Sequence, residues 1–174
     1  SNKKVLVTGH TGFKGSWLTF ILRQMGSTVV GISNNLFGEN SLYRILDLKS
    51  SVKNADYNIE ELNDILSLNN LKKIVAKFIP EVVFHLAAQP LVLDSYNNPN
   101  HTYKTNVIGT LNVLEALRDT KNLRAIISVT SDKVYQNKNQ TLGYRETDNL
   151  GGYDPYSASK ACADILTQSH YYSF

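Results

Sequence analysis

Four short apolar runs rich in valine and isoleucine punctuate the chain: Val5-Leu6-Val7, Thr28-Val29-Val30-Gly31-Ile32, Val82-Val83-Phe84 and Ala125-Ile126-Ile127-Ser128-Val129. They lack the alternation of apolar and polar positions that marks a half-buried strand, so they read as strands covered on both faces. Between them, residues 16–25, 68–78 and 106–118 carry apolar side chains at helical spacing. Strands alternating with helices predict right-handed crossovers and a parallel sheet with helices on both faces, a doubly wound α/β fold. A weaker pattern over residues 57–62 predicts a further strand. Ser67 is the expected N-cap of the helix that follows, and Pro80 its terminator. Residues 156–172 predict a last helix, and Gln136 to Thr141 a polar surface loop.

Length and composition narrow the picture. A chain of 174 residues, 42% apolar and 19% charged, suits one globular domain, residues 1–174, with a sizeable core. Eighteen basic residues against fifteen acidic leave a net charge of +3, too small and too dispersed for a nucleic-acid footprint. The single cysteine, Cys162, excludes an internal disulfide and a multi-cysteine metal site, and no metal is expected. No apolar stretch approaches the about 18 residues needed to span a bilayer, and the start leads directly into a strand-like run. A cytoplasmic location without membrane partner is therefore expected.

The first chemically informative segment is Thr8-Gly9-His10-Thr11-Gly12-Phe13-Lys14-Gly15, directly after the first strand and opening into a helix. Glycines there permit a tight turn and close backbone approach, and the helix N-terminus offers unpaired N–H groups and a positive dipole end, so an anion belongs at this turn. His10 and Lys14 read as solvated loop residues. The tip of the second strand, Ser33-Asn34-Asn35, lacks the acid that would bind ribose hydroxyls and repel the extra phosphate of NADP. NAD is preferred and NADP stays open, with Arg44 available to a phosphate or to solvent. The two alanines of His85-Leu86-Ala87-Ala88-Gln89 give a flat cofactor close access at the carboxyl edge of a strand.

Two further segments carry candidate chemistry: Thr130-Ser131-Asp132-Lys133, at the end of a strand, and Tyr156-Ser157-Ala158-Ser159-Lys160, on the last helix. Tyr156 and Lys160, four apart, share a helical face, and a lysine cation beside a phenol favours the phenolate.

Together with the glycine turn, Asn106, Ser131, Tyr156 and Lys160 resemble the asparagine, serine, tyrosine and lysine set of the short-chain dehydrogenases/reductases. Asp132-Lys133, Phe84 to Val92, Gly143-Tyr144-Arg145-Glu146 and Leu150-Gly151-Gly152-Tyr153-Asp154-Pro155-Tyr156 make the chain similar to the CDP-glucose 4,6-dehydratases within that group. The resemblance implies the cofactor-binding part, Rossmann-type, of a longer lyase acting on a nucleotide-sugar, with a C-terminal substrate domain outside this chain, in polysaccharide biosynthesis. It implies a bound nicotinamide cofactor held by Gly9, Gly12, Phe13, Gly15, Asn34, Asp64, Ile65, Ala87, Ala88, Gln89, Tyr156 and Lys160. Tyr156 would take the sugar hydroxyl proton, Ser131 would hydrogen-bond that hydroxyl, and Lys160 would hold the nicotinamide ribose. Asp132 would protonate the departing hydroxyl, which requires burial to keep its own proton, and Lys133 would stabilise an enolate or simply face solvent. Asn106, whose amide does not titrate, would organise the site or cap a helix. The family pairs through the Asn106 and Tyr156 helices, implying a homodimer. This chain departs from the pattern at Asn35, where an acid is usual, and at Leu93-Asp94, near which a base is usual.

Overall fold

A computed structural model describes residues 2–35, 38–48 and 64–174. The strand expected over residues 57–62 lies outside them. Among the described residues four parallel strands, β1 (Lys4–Thr8), β2 (Thr28–Ile32), β3 (Val82–His85) and β4 (Ala125–Ser128), form a sheet in the order β2-β1-β3-β4. From β1 the order steps outward to β2 and then crosses back to β3 and β4 on the other side, so it reverses once, between β1 and β3. In such sheets a crevice opens beyond the carboxyl ends of the strands where the order reverses.

β1 and β2 are buried on both faces, as their lack of alternation predicts, whereas Val82 and Phe84 of β3 are half-buried and Ala125 and Ile127 of β4 are exposed. Leu6, Val30, Ile32 and Val83 point to one face, where they meet Leu71, Val75 and Phe78 of α3 (Leu68–Phe78) and Val113 and Leu117 of α6 (Gly109–Leu117). Val5, Val7 and Val29 point to the other, under Leu18 and Leu22 of α1 (Phe13–Gln24). Successive side chains of one strand thus serve opposite layers, which only a sheet sandwiched between helices allows.

A short helix, α2 (Leu42–Ile45), follows β2, and α4 (Val92–Asn97) and α5 (Pro99–Tyr103) follow β3. Ser67 stands at the N-cap of α3, although its side chain makes no capping bond. That helix ends at Phe78. Ile79 precedes Pro80 and so is pushed out of the right-handed helical region; it adopts φ 52° while its N–H still reaches Val75 O.

The helix expected to open at Asn106 begins earlier. Asn98 caps α5, with its Oδ1 accepting from His101 N at 3.2 Å and Pro99 in the first turn. The chain then passes through a π-helical turn, Lys104–Ile108, into α6 without a break. Asn106 is therefore not an N-cap; it sits in the widened turn, 1% exposed. The final helix, α7 (Pro155–Ser173), is capped by Asp154, whose Oδ1 accepts from Ser157 N at 2.9 Å.

Candidate active site

β1 ends at Thr8, and Gly9 turns the chain with φ 73°, a conformation open to glycine. A Cβ on Gly15 would lie 2.1 Å from Gly9 O, and one on Gly9 2.8 Å from Ala87 N, so both positions require glycine for close backbone contact. The turn is tied down by Gly9 N to Ile32 O, Gly12 N to Gly9 O and Ser16 N to Gly12 O. The amides of Phe13, Lys14 and Gly15, in the first turn of α1, have no intrahelical carbonyl to bond, and all three residues line the crevice. His10 departs from the solvated reading: it is 3% exposed, edge-on to Tyr43 at 5.4 Å and packed on Gly31. The turn is so tight that residue 10 is directed inward while Lys14 stays exposed.

A cleft of about 600 Å³ runs from this turn along the carboxyl edge of the sheet. Gly9, Gly12, Phe13, Gly15, Asn34, Asp64, Ile65, Ala87, Ala88, Gln89, Tyr156 and Lys160 all line it. Lys14 and Lys160 bring positive charge to it and Asp64 a carboxylate, with Asn34 Nδ2 donating to Asp64 Oδ2 at 3.1 Å and Leu66 N to Asp64 Oδ1 at 2.9 Å. That lining suits a ligand with both an anion and a hydrogen-bond donor. Arg44 is exposed and does not line the cleft.

Several residues the sequence left unmarked build the walls. Thr11 Oγ1 donates to Asn35 O and meets Ser33 Oγ, each at 2.7 Å, which joins the glycine turn to the tip of β2. Asn112 Nδ2 donates to Ile65 O and Leu66 O and holds the Asp64-Ile65 segment. Hydroxyl residues spread through loops carry no spacing signal, so only the folded chain reveals them. Gln89 lines the cleft, yet its amide is spent on Leu91 N and O and on Thr102 Oγ1, so it shapes the wall.

Asn106 lies behind that wall. Its Oδ1 accepts from Gln89 N at 2.8 Å, and its Nδ2 donates to Gln89 O at 3.1 Å and Ser159 Oγ at 2.9 Å; Ser159 Oγ in turn donates to Tyr156 O. One amide thereby ties the Ala87–Gln89 shelf to the helix that carries Tyr156 and Lys160, an organising role.

Tyr156 is 9% exposed and Lys160 7%, one turn apart and both at the cleft. Lys160 Nζ donates to Val129 O at 3.2 Å. Burial, and then the positive charge of Lys14, lower its pKa from 10.5 to about 8. Two cations so placed at the cleft suit an incoming anion. Below about 8 the folded protein bears the full cost of burying that cation. As pH rises toward 10.5 the unfolded chain still binds a proton that the folded one has released, so stability rises over this window. Lys160→Met is accordingly expected to be more stable than the parent at neutral pH by up to about 3 kcal/mol, with a flatter rise above it. Urea unfolding of both proteins at neutral and alkaline pH checks this; a destabilised methionine variant at neutral pH would contradict it.

Ser131, Asp132 and Lys133 do not line this cleft. A single 3-10 turn, Asp132–Val134, buries Val134 to 3% exposure and so rolls its neighbours outward. Ser131 Oγ accepts from Lys133 N at 3.1 Å and caps that turn. The Asp132 side chain is 78% exposed and pairs with Lys133 at 3.4 Å, so the burial expected of an acid is not provided by this chain. Both line a smaller recess with Val92, Tyr144, Gly152 and Ser157. Thr130 takes the place at the cleft edge, its Oγ1 donating to Asp164 Oδ2 at 3.4 Å.

A glycine turn between strand and helix, a cleft along the carboxyl edge of a parallel sheet and a tyrosine–lysine pair on its far wall define a Rossmann-type domain of the short-chain dehydrogenase/reductase class. Residues 6–174 match the GDP-mannose 4,6 dehydratase family model, and the chain belongs to that family. It is 44% identical over 172 residues to a CDP-glucose 4,6-dehydratase of Salmonella typhimurium, a match covering 99% of this chain and 46% of the relative. In three dimensions it is similar to the UDP-glucose 4-epimerase of Thermotoga maritima solved with UDP-glucose, with TM-score 0.81 at 26% identity over 98% of this chain and 52% of the other. The UDP-glucose 4-epimerase of Brucella ovis in complex with NAD gives the same TM-score and identity, covering 99% and 49%. The chain spans about half the length of the curated relatives it matches. Among the described residues no helix is long and apolar enough to cross a membrane.

Proposed function

We propose that residues 1–174 supply the cofactor-binding part of a CDP-glucose 4,6-dehydratase that uses NAD. The observation that carries the reading is the placement of Tyr156 and Lys160 in the same cleft as the Gly9–Gly15 turn; the similarity to the Salmonella dehydratase supports the choice of substrate. The fit to the cofactor is physical. A Cβ at Gly15 would collide with the backbone of the turn and force it open, the first-turn amides of α1 with Lys14 and Lys160 match a pyrophosphate, and Asp64 matches an adenine amino group. A carboxylate linked to Asn34 at the tip of β2 also disfavours the added phosphate of NADP. Bound there, NAD would take a hydride from sugar carbon 4 and return it to carbon 6.

Tyr156 removes the proton of the carbon 4 hydroxyl as the carbonyl forms, and Lys160 stabilises the phenolate while orienting the ribose. A ketone at carbon 4 acidifies the carbon 5 proton, and water is then lost across carbons 5 and 6. Asp132 donates to the leaving hydroxyl, with Lys133 at its side. Both stand open to solvent in this chain, so the remainder of the complete polypeptide has to cover them. That exposure keeps a 4-epimerase as the second reading, since epimerisation loses no water.

Incubating the complete polypeptide with CDP-glucose deuterated at carbon 4 separates the two. A 4-keto-6-deoxy product carrying deuterium at carbon 6 is expected, and an epimer formed without water loss would overturn the dehydratase reading. The exposed Tyr103, Ile108, Leu111 and Ile165, on the outer faces of the helices bearing Asn106 and Tyr156, favour a homodimer. A role in cytoplasmic polysaccharide biosynthesis accords with this chemistry.

A further inference from the structure

Beneath the cleft, between the glycine turn and the π-helical turn, lies a buried histidine that the reaction as outlined does not use. His85 is the last residue of β3, paired in register with Thr8 and 4% exposed. Its Nδ1 lies 2.7 Å from Thr8 Oγ1 and its Nε2 3.0 Å from Thr110 Oγ1. The two hydroxyls settle where the ring proton is. Thr110 Oγ1 is 2.7 Å from Asn106 O, and a carbonyl can only accept, so the Thr110 hydrogen points there and its oxygen accepts from Nε2–H. At the other end Ala87 N donates to Thr8 Oγ1 at 3.2 Å, which leaves the Thr8 hydrogen for an unprotonated Nδ1.

All four bonds therefore run in one direction, from the Ala87 amide through Thr8, His85 and Thr110 to the Asn106 carbonyl. A doubly protonated ring would leave the Thr8 hydrogen without an acceptor inside the protein, which a buried site penalises. Burial, and then the charge of Lys160, push the His85 pKa down to about 3 and act in the same sense. The chain of bonds ends at the residue whose side-chain amide holds both the N–H and the C=O of Gln89, and Ser159 beside Tyr156.

We infer that His85, neutral and protonated on Nε2, is a positioning residue: it fixes the direction of the hydrogen-bond chain from Ala87 to Asn106 and so sets how the cofactor shelf meets the Tyr156 helix. The inference rests on the proposed function only in giving that spacing a catalytic purpose; the tautomer and the chain of bonds stand apart from it. A hydroxyl at Thr110 is then essential for a reason of direction rather than of volume. Valine preserves the shape there and removes the link, and serine preserves the link.

Three measurements test this. In the 15N-labelled chain, the imidazole nitrogens of His85 are expected to show one neutral Nε2–H form from about pH 5 to about pH 8. A predominant Nδ1–H form, or protonation within that range, would overturn the inference whatever reaction the protein catalyses. In the complete polypeptide, Thr110→Val is expected to lower kcat by about tenfold or more through misplacement of the shelf and helix, with a smaller change in KM, and Thr110→Ser to restore most of it. In the isolated chain, exchange of the Asn106 side-chain amide is expected to quicken in Thr110→Val and not in Thr110→Ser. Serine and valine variants alike in exchange would refute the chain of bonds; alike in kcat but different in exchange, they would refute its catalytic purpose.

Discussion

Tyr156→Phe in the complete polypeptide is expected to lower kcat by about a hundredfold to ten-thousandfold, the span that one positioned acid–base group contributes. The cofactor dissociation constant should move by no more than a few-fold. The substitution removes one oxygen and keeps the ring, which is 9% exposed at the cleft wall. The backbone anchor is untouched, since it is Tyr156 N that donates to Ser95 Oγ at 3.2 Å. Ser159 still reaches the carbonyl of residue 156, and Asn106 still holds Ser159. A loss confined to kcat would thus report the phenol alone. Turnover within a few-fold of the parent would remove Tyr156 from the chemistry.

The opposite pattern is expected of Gly15→Ala. Its Cβ would stand 2.1 Å from Gly9 O and 2.8 Å from both Gly9 C and His10 Cα, all of them backbone with no flexible end to yield. The turn would have to open, which withdraws the first-turn amides of α1 from the anion they are placed to meet. A fall of about a hundredfold or more in NAD affinity is expected, equivalent to about 3 kcal/mol. Gly143→Ala, where an added Cβ meets nothing within 4 Å, is expected to bind as the parent does. Calorimetric titration of the 174-residue chain with NAD reads both. Equal affinities in the two variants would mean that the cradle is not where the cofactor binds.

The parallel sheet was legible because β1 and β2 bury both faces, and that requirement leaves continuous apolar runs in the sequence. The glycine turn was legible because close backbone approach can be met by one residue type, at fixed spacing from a strand and a helix. Tyr156 and Lys160 were legible because a helix puts positions four apart on one face. Each of these is a local constraint.

Other assignments depended on contacts between segments distant in sequence. Asn106 read as a possible cap, but the start of its helix is at Asn98-Pro99, and a π-helical turn carries its amide to Gln89 and Ser159. The signal for that earlier start, the Asn98-Pro99 pair, stands in the sequence. His10 read as solvated because loops usually are, yet Gly31 of the neighbouring strand leaves space that its ring fills.

From the sequence alone, then, came what the backbone demands locally: the order of strands and helices, the glycine cradle and the shared face of the tyrosine–lysine pair. Only the tertiary structure decided which side chains meet. It turned Asp132 and Lys133 outward on a turn anchored by Val134, set Gln89 to hold its own wall, and drew Thr8, His85, Thr110 and Asn106 into one directed chain of hydrogen bonds. The reason is that periodicity reports burial and backbone geometry within a few residues, whereas a hydrogen bond between residues 77 positions apart, as between Thr8 and His85, exists only once the crossovers have stacked their strands.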